Sequence, residues 1–172
     1  TELGATLLTV AKDVKIQVEF DPAIVGAWRL IGYENRLLAA EDFSDDTKDA
    51  GEMGAGHRVT ALYEMVPAQG ALPAGAGIGV ARTRYKRPNE DTSSLLETLI
   101  LDDGKSIEEA SPDLRFASAV AAYGMLLRRS EYSGAADWKL VLDLARDGTE
   151  ADASGRRVEF YALAEAAAKL PR

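Results

Sequence analysis

The 172-residue sequence has no cysteine and a single histidine, His57. The lack of cysteine excludes disulfides, zinc–thiolate sites and a thiol nucleophile within the chain. The single histidine excludes most multi-histidine metal sites. No apolar run approaches the ~20 residues of a membrane span, and no basic and apolar leader stands at the start. We therefore expect neither membrane insertion nor a signal peptide within this sequence.

Acidic residues outnumber basic ones: the sequence has 28 aspartates and glutamates but 20 lysines and arginines, which gives a net charge of −8. Nucleic-acid binding needs a concentrated basic surface, so this balance disfavours a nucleic-acid partner. The apolar fraction of 47% and the charged fraction of 28% are typical of a globular protein. The length allows one domain or two small ones. Thr1 stands where a start methionine is usual, which suggests a piece of a longer protein.

The clearest pattern is a strand over residues 12–20, where apolar and polar side chains alternate. The apolar set is Val14, Ile16, Val18 and Phe20, and the polar set is Lys15, Gln17 and Glu19. A period of two places the sets on opposite faces, and we expect the apolar face to pack in the core. Similar patterns predict strands at 27–35, 58–66, 80–86 and 95–101. Since no helix separates them, residues 1–105 are predicted to form an antiparallel β-sandwich of about five or more strands.

The periodicity changes after Ile107. Ser111, Pro112 and Asp113 supply a capping hydroxyl, a proline at the first helical position and an acid near the positive end of the helix dipole. Apolar spacing then predicts helices to about residue 129, over 136–146 and from about residue 154. Residues 106–172 are predicted to form a three-helix bundle packed on or beside the sandwich, either as a second domain or within a single one. The predicted fold class is α+β, with both tryptophans in the core.

Residues 41–56 are typical of a loop, rich in carboxylates and followed by His57. Its acids offer the oxygen ligands that calcium prefers; they are Asp42, Asp45, Asp46, Asp49 and Glu52. Their spacing lacks the D-x-[DN]-x-[DN]-G pattern of a calcium loop, so a solvated loop is favoured over a metal site. His57 has no cysteine partner and no serine lies in a G-x-S-x-G elbow, so a structural role is favoured over catalysis.

A basic stripe, Arg82, Arg84, Lys86 and Arg87, runs along and just beyond the strand at 80–86. Alternation puts Arg82, Arg84 and Lys86 on one face. Such a stripe suits recognition of an acidic partner, but charges on a strand also protect a sheet edge from unwanted pairing. We favour edge protection and keep the interaction surface as the second interpretation.

Ordered strings run through most of the chain: LTVAKDVKIQVEF at 8–20, RLIGYENR at 29–36, EDF at 41–43, DAGE at 49–52, GAGH at 54–57, VTALYE at 59–64, RYK at 84–86 and SPDLRFA at 111–117. In this succession the chain resembles the C-terminal region of YfbK-like bacterial von Willebrand factor type A domain proteins. The resemblance implies a position directly after a type A domain, which binds a divalent metal through a D-x-S-x-S motif. The nearest string here, DTSSL at 91–95, departs at its last position. The resemblance therefore implies no cofactor, metal ligand or catalytic residue in this chain, and a divalent metal only in the adjacent domain.

The resemblance further implies a non-catalytic accessory domain that supports the type A domain and protein–protein contacts or assembly in bacteria. We expect the cell envelope as its location, with the cytoplasm as the other option. The expected partners are proteins, including the adjacent type A domain. Related architectures complete the β part with strands from before the type A domain, so an exposed sheet edge is expected to allow self-association. The alternative is a metal- or small-ligand-binding domain, with or without catalysis, that uses the acidic loop 42–52 and His57.

Overall fold

The computed structural model describes residues 8–32, 39–72, 74–149, 152 and 154–170. The chain divides into two compact units between Gly104 and Lys105. The first unit carries the strands, and every strand pairing described in it is antiparallel. In the second unit, the part of the chain that the structure describes forms three helices. This arrangement confirms the predicted α+β fold class, with a mostly antiparallel sheet region followed by a helical one.

The described residues of the first unit form two sheets. Six strands form them: β1 Thr9–Phe20, β2 Val25–Ile31, β3 Gly51–Gly54, β4 Leu62–Pro67, β5 Gly77–Lys86 and β6 Ser94–Leu101. The larger sheet has the order β3-β1-β5-β6, and β2 pairs with β4 in the smaller one. The rings of Phe20, Trp28 and Tyr63 meet between the sheets, with centroids 5.4–5.9 Å apart. Contacts of this aromatic cluster join the two sheets into one unit.

The burial of the two faces of β1 differs from what the sequence predicted. The register sets Lys15 opposite Arg84 and Ile16 opposite Thr83, so the basic and apolar side chains do lie on opposite faces. However, Lys15 is only 4% exposed, whereas Ile16 is 50% exposed. The prediction that the whole apolar face packs in the core is therefore wrong at Ile16. The reason is that residues 39–50 fold over the charged face and contact Lys15.

Several predicted boundaries also differ from the observed ones. The predicted strand 27–35 runs over 25–31, and its predicted residues 33–35 lie outside the described residues. The predicted strand 58–66 begins only at Leu62. The predicted loop 41–56 includes most of a short 3₁₀ helix, Ala40–Ser44, and the strand β3. Trp28 was predicted in the core but is 53% exposed, because only part of its ring is covered by Phe20 and Tyr63.

The three helices of the second unit are α1 Pro112–Leu127, α2 Trp138–Arg146 and α3 Arg156–Ala168. The predicted cap of α1 is confirmed, because the Ser111 hydroxyl accepts a hydrogen bond from the Leu114 amide at 3.2 Å. Small apolar side chains fill the centre of this unit, which lets the helices approach closely; the buried set is Ala119, Ala122, Val141, Leu144, Ala145, Ala164 and Ala167. Aromatic rings of Phe116, Tyr123, Trp138 and Phe160 pack edge to face around it.

Candidate functional site

Residues 39–50, which include most of the acidic loop 42–52, lie on the charged face of the larger sheet. The ammonium group of Lys15 in β1 donates hydrogen bonds to the backbone carbonyls of Asp42, at 3.2 Å, and of Asp45. Phe43, from the 3₁₀ helix between them, is also buried. A buried ammonium needs such partners because an unpaired charge in a dry environment is costly. The loop therefore shields the Lys15 side chain from solvent, and Phe43 of the loop is buried in the same contact.

A second contact joins the loop to Lys86 at the end of β5. The Lys86 ammonium donates to an Asp13 carboxylate oxygen and to the Asp46 carbonyl, both at 2.8 Å. Asp13 has a positive φ of 49° at an irregularity in the β1–β5 register. Such a bulge re-aims a side chain. The other Asp13 oxygen accepts the Ala50 amide at 3.1 Å. Hydrogen bonds from Lys86 and then from Ala50 lower the pKa of Asp13, while the same Asp13 bond raises the pKa of Lys86.

Arg84 makes the third contact. Its guanidinium lies 5.9 Å from the centre of the Phe43 ring and donates to the Ser93 hydroxyl at 2.8 Å. The Asp46 carboxylate lies 3.9 Å from the same guanidinium and accepts the Ser93 amide at 3.2 Å. Hydrogen bonds from the Ser93 hydroxyl and amide lower the pKa of Asp46. We call the contacts of Lys15, Arg84 and Lys86 with the loop the clasp.

The five carboxylates proposed from the sequence do not converge on one point. Asp42 pairs with Lys48 at 3.6 Å, and Asp45 accepts from the Thr47 amide and hydroxyl, which lowers the pKa of Asp45. Glu52 accepts the Thr9 hydroxyl at 3.2 Å, while Asp46 belongs to the clasp and Asp49 is exposed. His57 has an exposed side chain, and its amide donates to the Gly54 carbonyl. Within the part of the chain that the structure describes, no group of three or more acidic or histidine side chains is placed to hold a metal ion.

The prediction that the basic stripe protects a sheet edge is wrong, because β5 lies between β1 and β6. The stripe is instead bound to acids of its own chain. Besides the clasp contacts of Arg84 and Lys86, Arg82 pairs with Glu19 on β1 and with Glu97 on β6, the latter at 2.7 Å. The hydrogen bonds that Arg82 donates to Glu19 and then to Glu97 raise the pKa of Arg82 further above its usual range. Arg87 pairs with Glu90 at 3.1 Å. Recognition of an acidic partner by this stripe would therefore compete with five existing intramolecular ion pairs.

Sequence reasoning treated the loop and the stripe as separate sites and missed the groups that join them. Asp13, Lys15, Phe43 and Ser93 were not proposed. The opposite charges of the loop and the stripe were a usable signal, since an acidic loop and a basic strand in one small unit attract each other. No periodicity rule identifies Lys15 as buried, because it occupies the polar phase of an alternating strand.

The fold and the clasp define an α+β protein whose β unit carries an acidic loop held by lysine and arginine side chains of its own sheet. Residues 5–76 and 73–170 match the family described as "Uncharacterized protein YfbK, C-terminal", and the chain belongs to this family. It is 38% identical over 183 aligned residues to "Uncharacterized protein YfbK" of Escherichia coli (strain K12). The match covers 97% of this chain and 31% of that relative. No solved structure matches the chain.

Proposed function

We propose that this chain is a non-catalytic accessory domain that follows a metal-binding von Willebrand factor type A domain and supports protein contacts at the bacterial cell envelope. The observation that carries the proposal is the clasp. Lys15 and Lys86 bind backbone carbonyl oxygens of the loop, and the Asp46 carboxylate lies 3.9 Å from Arg84, so these oxygens have to give up an internal cation before they can ligate a metal. The oxygens of Asp42, Asp45 and Asp46 that face the sheet therefore serve the fold first.

The Lys15 ammonium occupies a position like that of the ion in a calcium-binding loop. Its ammonium lies against the carbonyl oxygens of Asp42 and Asp45, and such oxygens are the ligands that a calcium loop directs at its ion. An ammonium held by the neighbouring strand supplies the positive charge without any ion from solution. This favours the accessory role over the alternative, in which the loop and His57 bind a metal or small ligand.

The relation to the E. coli protein supports a role within a larger assembly. The chain spans 31% of the length of that relative, so the family's region accompanies other sequence. Regions of this kind usually meet their neighbours through moderate, partly polar interfaces. In the described residues no helix is long and apolar enough to cross a bilayer. Protein contacts are thus the interaction that we propose for an envelope location.

A crosslinking pull-down tests the accessory role. It compares the longer protein that carries residues 1–172 with the same protein in which an unrelated folded domain of similar size replaces them. We expect the replacement to lose crosslinked partners while the type A domain still binds its metal. An unchanged set of partners would contradict the proposal.

Calcium and magnesium titrations of the 172-residue chain test the alternative. We expect no binding heat and no change in melting temperature for either ion, because the loop oxygens that face the sheet are occupied by Lys15 and Lys86. Saturable binding that is lost in Asp42→Asn and Asp49→Asn variants would favour the metal-site interpretation.

A further inference from the structure

The sheet holds the loop at residues 39–50 largely through the main chain of the loop. The ammonium groups of Lys15 and Lys86 donate to three loop carbonyls, those of Asp42, Asp45 and Asp46. Every peptide carries such carbonyls, so the two lysines recognise a main chain rather than particular side chains. The backbone amides of residues 42, 45 and 48 donate to carbonyls within the loop itself. Side chains of the sheet therefore supply the attachment.

Two side chains of the loop make the contact selective. Phe43 is buried, and the Arg84 guanidinium lies 5.9 Å from the centre of its ring, within the range of a cation–π contact. Three residues later, the Asp46 carboxylate accepts the Ser93 amide at 3.2 Å and lies 3.9 Å from the same guanidinium. The sheet thus offers places for an aromatic ring, for a carboxylate three residues further on, and for main-chain carbonyls near them.

The loop has little apolar anchorage of its own. The structure describes all of residues 39–50, and Phe43 is the one buried residue among them. A segment with so little apolar burial opens locally at a lower free energy than that of unfolding the whole unit. Opening would take the loop partners away from two lysines and one arginine, and cations that lack partners attract an acidic segment.

We propose that the surface under the loop, formed by Lys15, Arg84, Lys86 and Ser93, is a peptide-recognition site that the loop occupies as an internal ligand. The partner is an acidic segment of another protein that carries a phenylalanine and, three residues later, an aspartate. The inference rests on the proposed function, because it names the surface that makes the protein contacts. A tethered loop competes at a millimolar effective concentration, so the closed chain binds its partner more weakly than the open chain.

A synthetic peptide of residues 39–50, AAEDFSDDTKDA, is the probe. Titrations of the ¹⁵N-labelled 172-residue chain, followed by NMR at the amides of β1 and β5, measure its binding. Phe43→Ala weakens the loop and leaves the surface intact, so we expect about ten-fold tighter peptide binding than in the wild type. Asp46→Ala is a second variant with the same expected result. Asp49→Ala removes the same charge at an exposed loop residue and should bind the peptide like the wild type.

The surface itself is tested in the Phe43→Ala background. Adding Lys15→Met should weaken peptide binding about ten-fold, because the loss of a charged hydrogen-bond donor costs at least that much. Lys12→Met, at a half-buried lysine of β1, is the matched control and should have no effect. A peptide with alanine in place of its phenylalanine should also bind about ten-fold more weakly, because it lacks the ring that contacts Arg84. Circular dichroism and urea unfolding establish that each variant is folded.

Three results would overturn the proposal: no saturable binding by either folded loop variant at millimolar peptide, equal affinity of Phe43→Ala and wild type, or equal affinity with and without Lys15→Met. A wild-type dimer that exchanges its loops, detected by sedimentation velocity, would also overturn it, because a second copy would then be the occupant. Peptide binding and the crosslinking pull-down are separate measurements. Peptide binding without crosslinked partners would contradict the accessory role alone, whereas partners retained by a Lys15→Met protein would contradict this site alone.

Discussion

Replacing Lys15 by methionine removes one ammonium group from the clasp and keeps a similar side-chain volume. The wild-type ammonium lies in a site that is 4% exposed and donates to the Asp42 and Asp45 carbonyls. A hydrogen bond from a charged group contributes about 1.5–3 kcal/mol. Part of the loss of two such bonds is offset, because methionine no longer requires burial of a charge. We expect the free energy of unfolding of the β unit to fall by about 2 kcal/mol.

For a unit of this size, that change corresponds to a fall in melting temperature on the order of 8–10 °C. The two tryptophans allow the β unit to be followed alone, since Trp28 lies in it and Trp138 lies in α2. In a Trp138→Phe background, urea unfolding of Trp28 fluorescence reports the β unit. Lys12→Met makes the same chemical change at a half-buried lysine of β1 and serves as the control. Equal stability of the Lys15 and Lys12 variants would refute the reasoning.

Three further changes test other parts of the fold. Asp46→Asn should make the free energy of unfolding fall less steeply as the solution is acidified. The hydrogen bonds from Ser93 lower the pKa of Asp46 in the folded chain, so ionised Asp46 stabilises the fold at pH values above the ordinary aspartate pKa of about 3.9. This stabilisation is lost as the pH falls through the pKa of Asp46 in the folded chain. Urea midpoints between pH 3 and 6 measure it, and an unchanged slope would count against the Asp46 contact. Gly79→Ala should destabilise the β unit by about 1–3 kcal/mol, because the alanine Cβ would meet the backbone of the neighbouring strand. Gly77→Ala is the control and should be tolerated, because its Cβ would meet only a side-chain methyl, at 3.7 Å. Gly124→Ala should stabilise α1 by about 0.5–1 kcal/mol, because it removes a glycine from a helix where the new Cβ has open space; thermal unfolding of the helical unit checks it.

Much of the fold was predictable because it follows from local patterns. The change from a period of two to helical spacing separated the strands from the helices. Ser111 and Pro112 located the start of α1 through capping chemistry that is complete within a few residues. The alternation at Arg82 and Arg84 also placed both guanidinium groups on one face, as the register has them.

The parts that could not be predicted depend on contacts between distant segments. Lys15 and Asp45 are 30 residues apart, and Lys86 and Asp13 are 73 residues apart. The loop covers the charged face of β1, and the sequence pattern of β1 contains no information about that contact. The alternation therefore predicted the two faces correctly but predicted wrongly that Ile16 is buried. Similarly, the acidic loop and the basic stripe were predicted as two separate candidate sites. The sequence of each segment shows its own charges but not the distant side chains with which they pair.

The Lys15 ammonium resonance tests the clasp most directly. Ammonium protons that are hydrogen-bonded and shielded from water exchange slowly, so side-chain NMR of ¹⁵N-labelled lysine at neutral pH can observe them. We predict a slowly exchanging resonance that is absent in Lys15→Met and unchanged when calcium is added. Rapid exchange at Lys15, or displacement of its resonance by calcium, would contradict the claim that the sheet's own lysine occupies the carbonyl oxygens of the acidic loop.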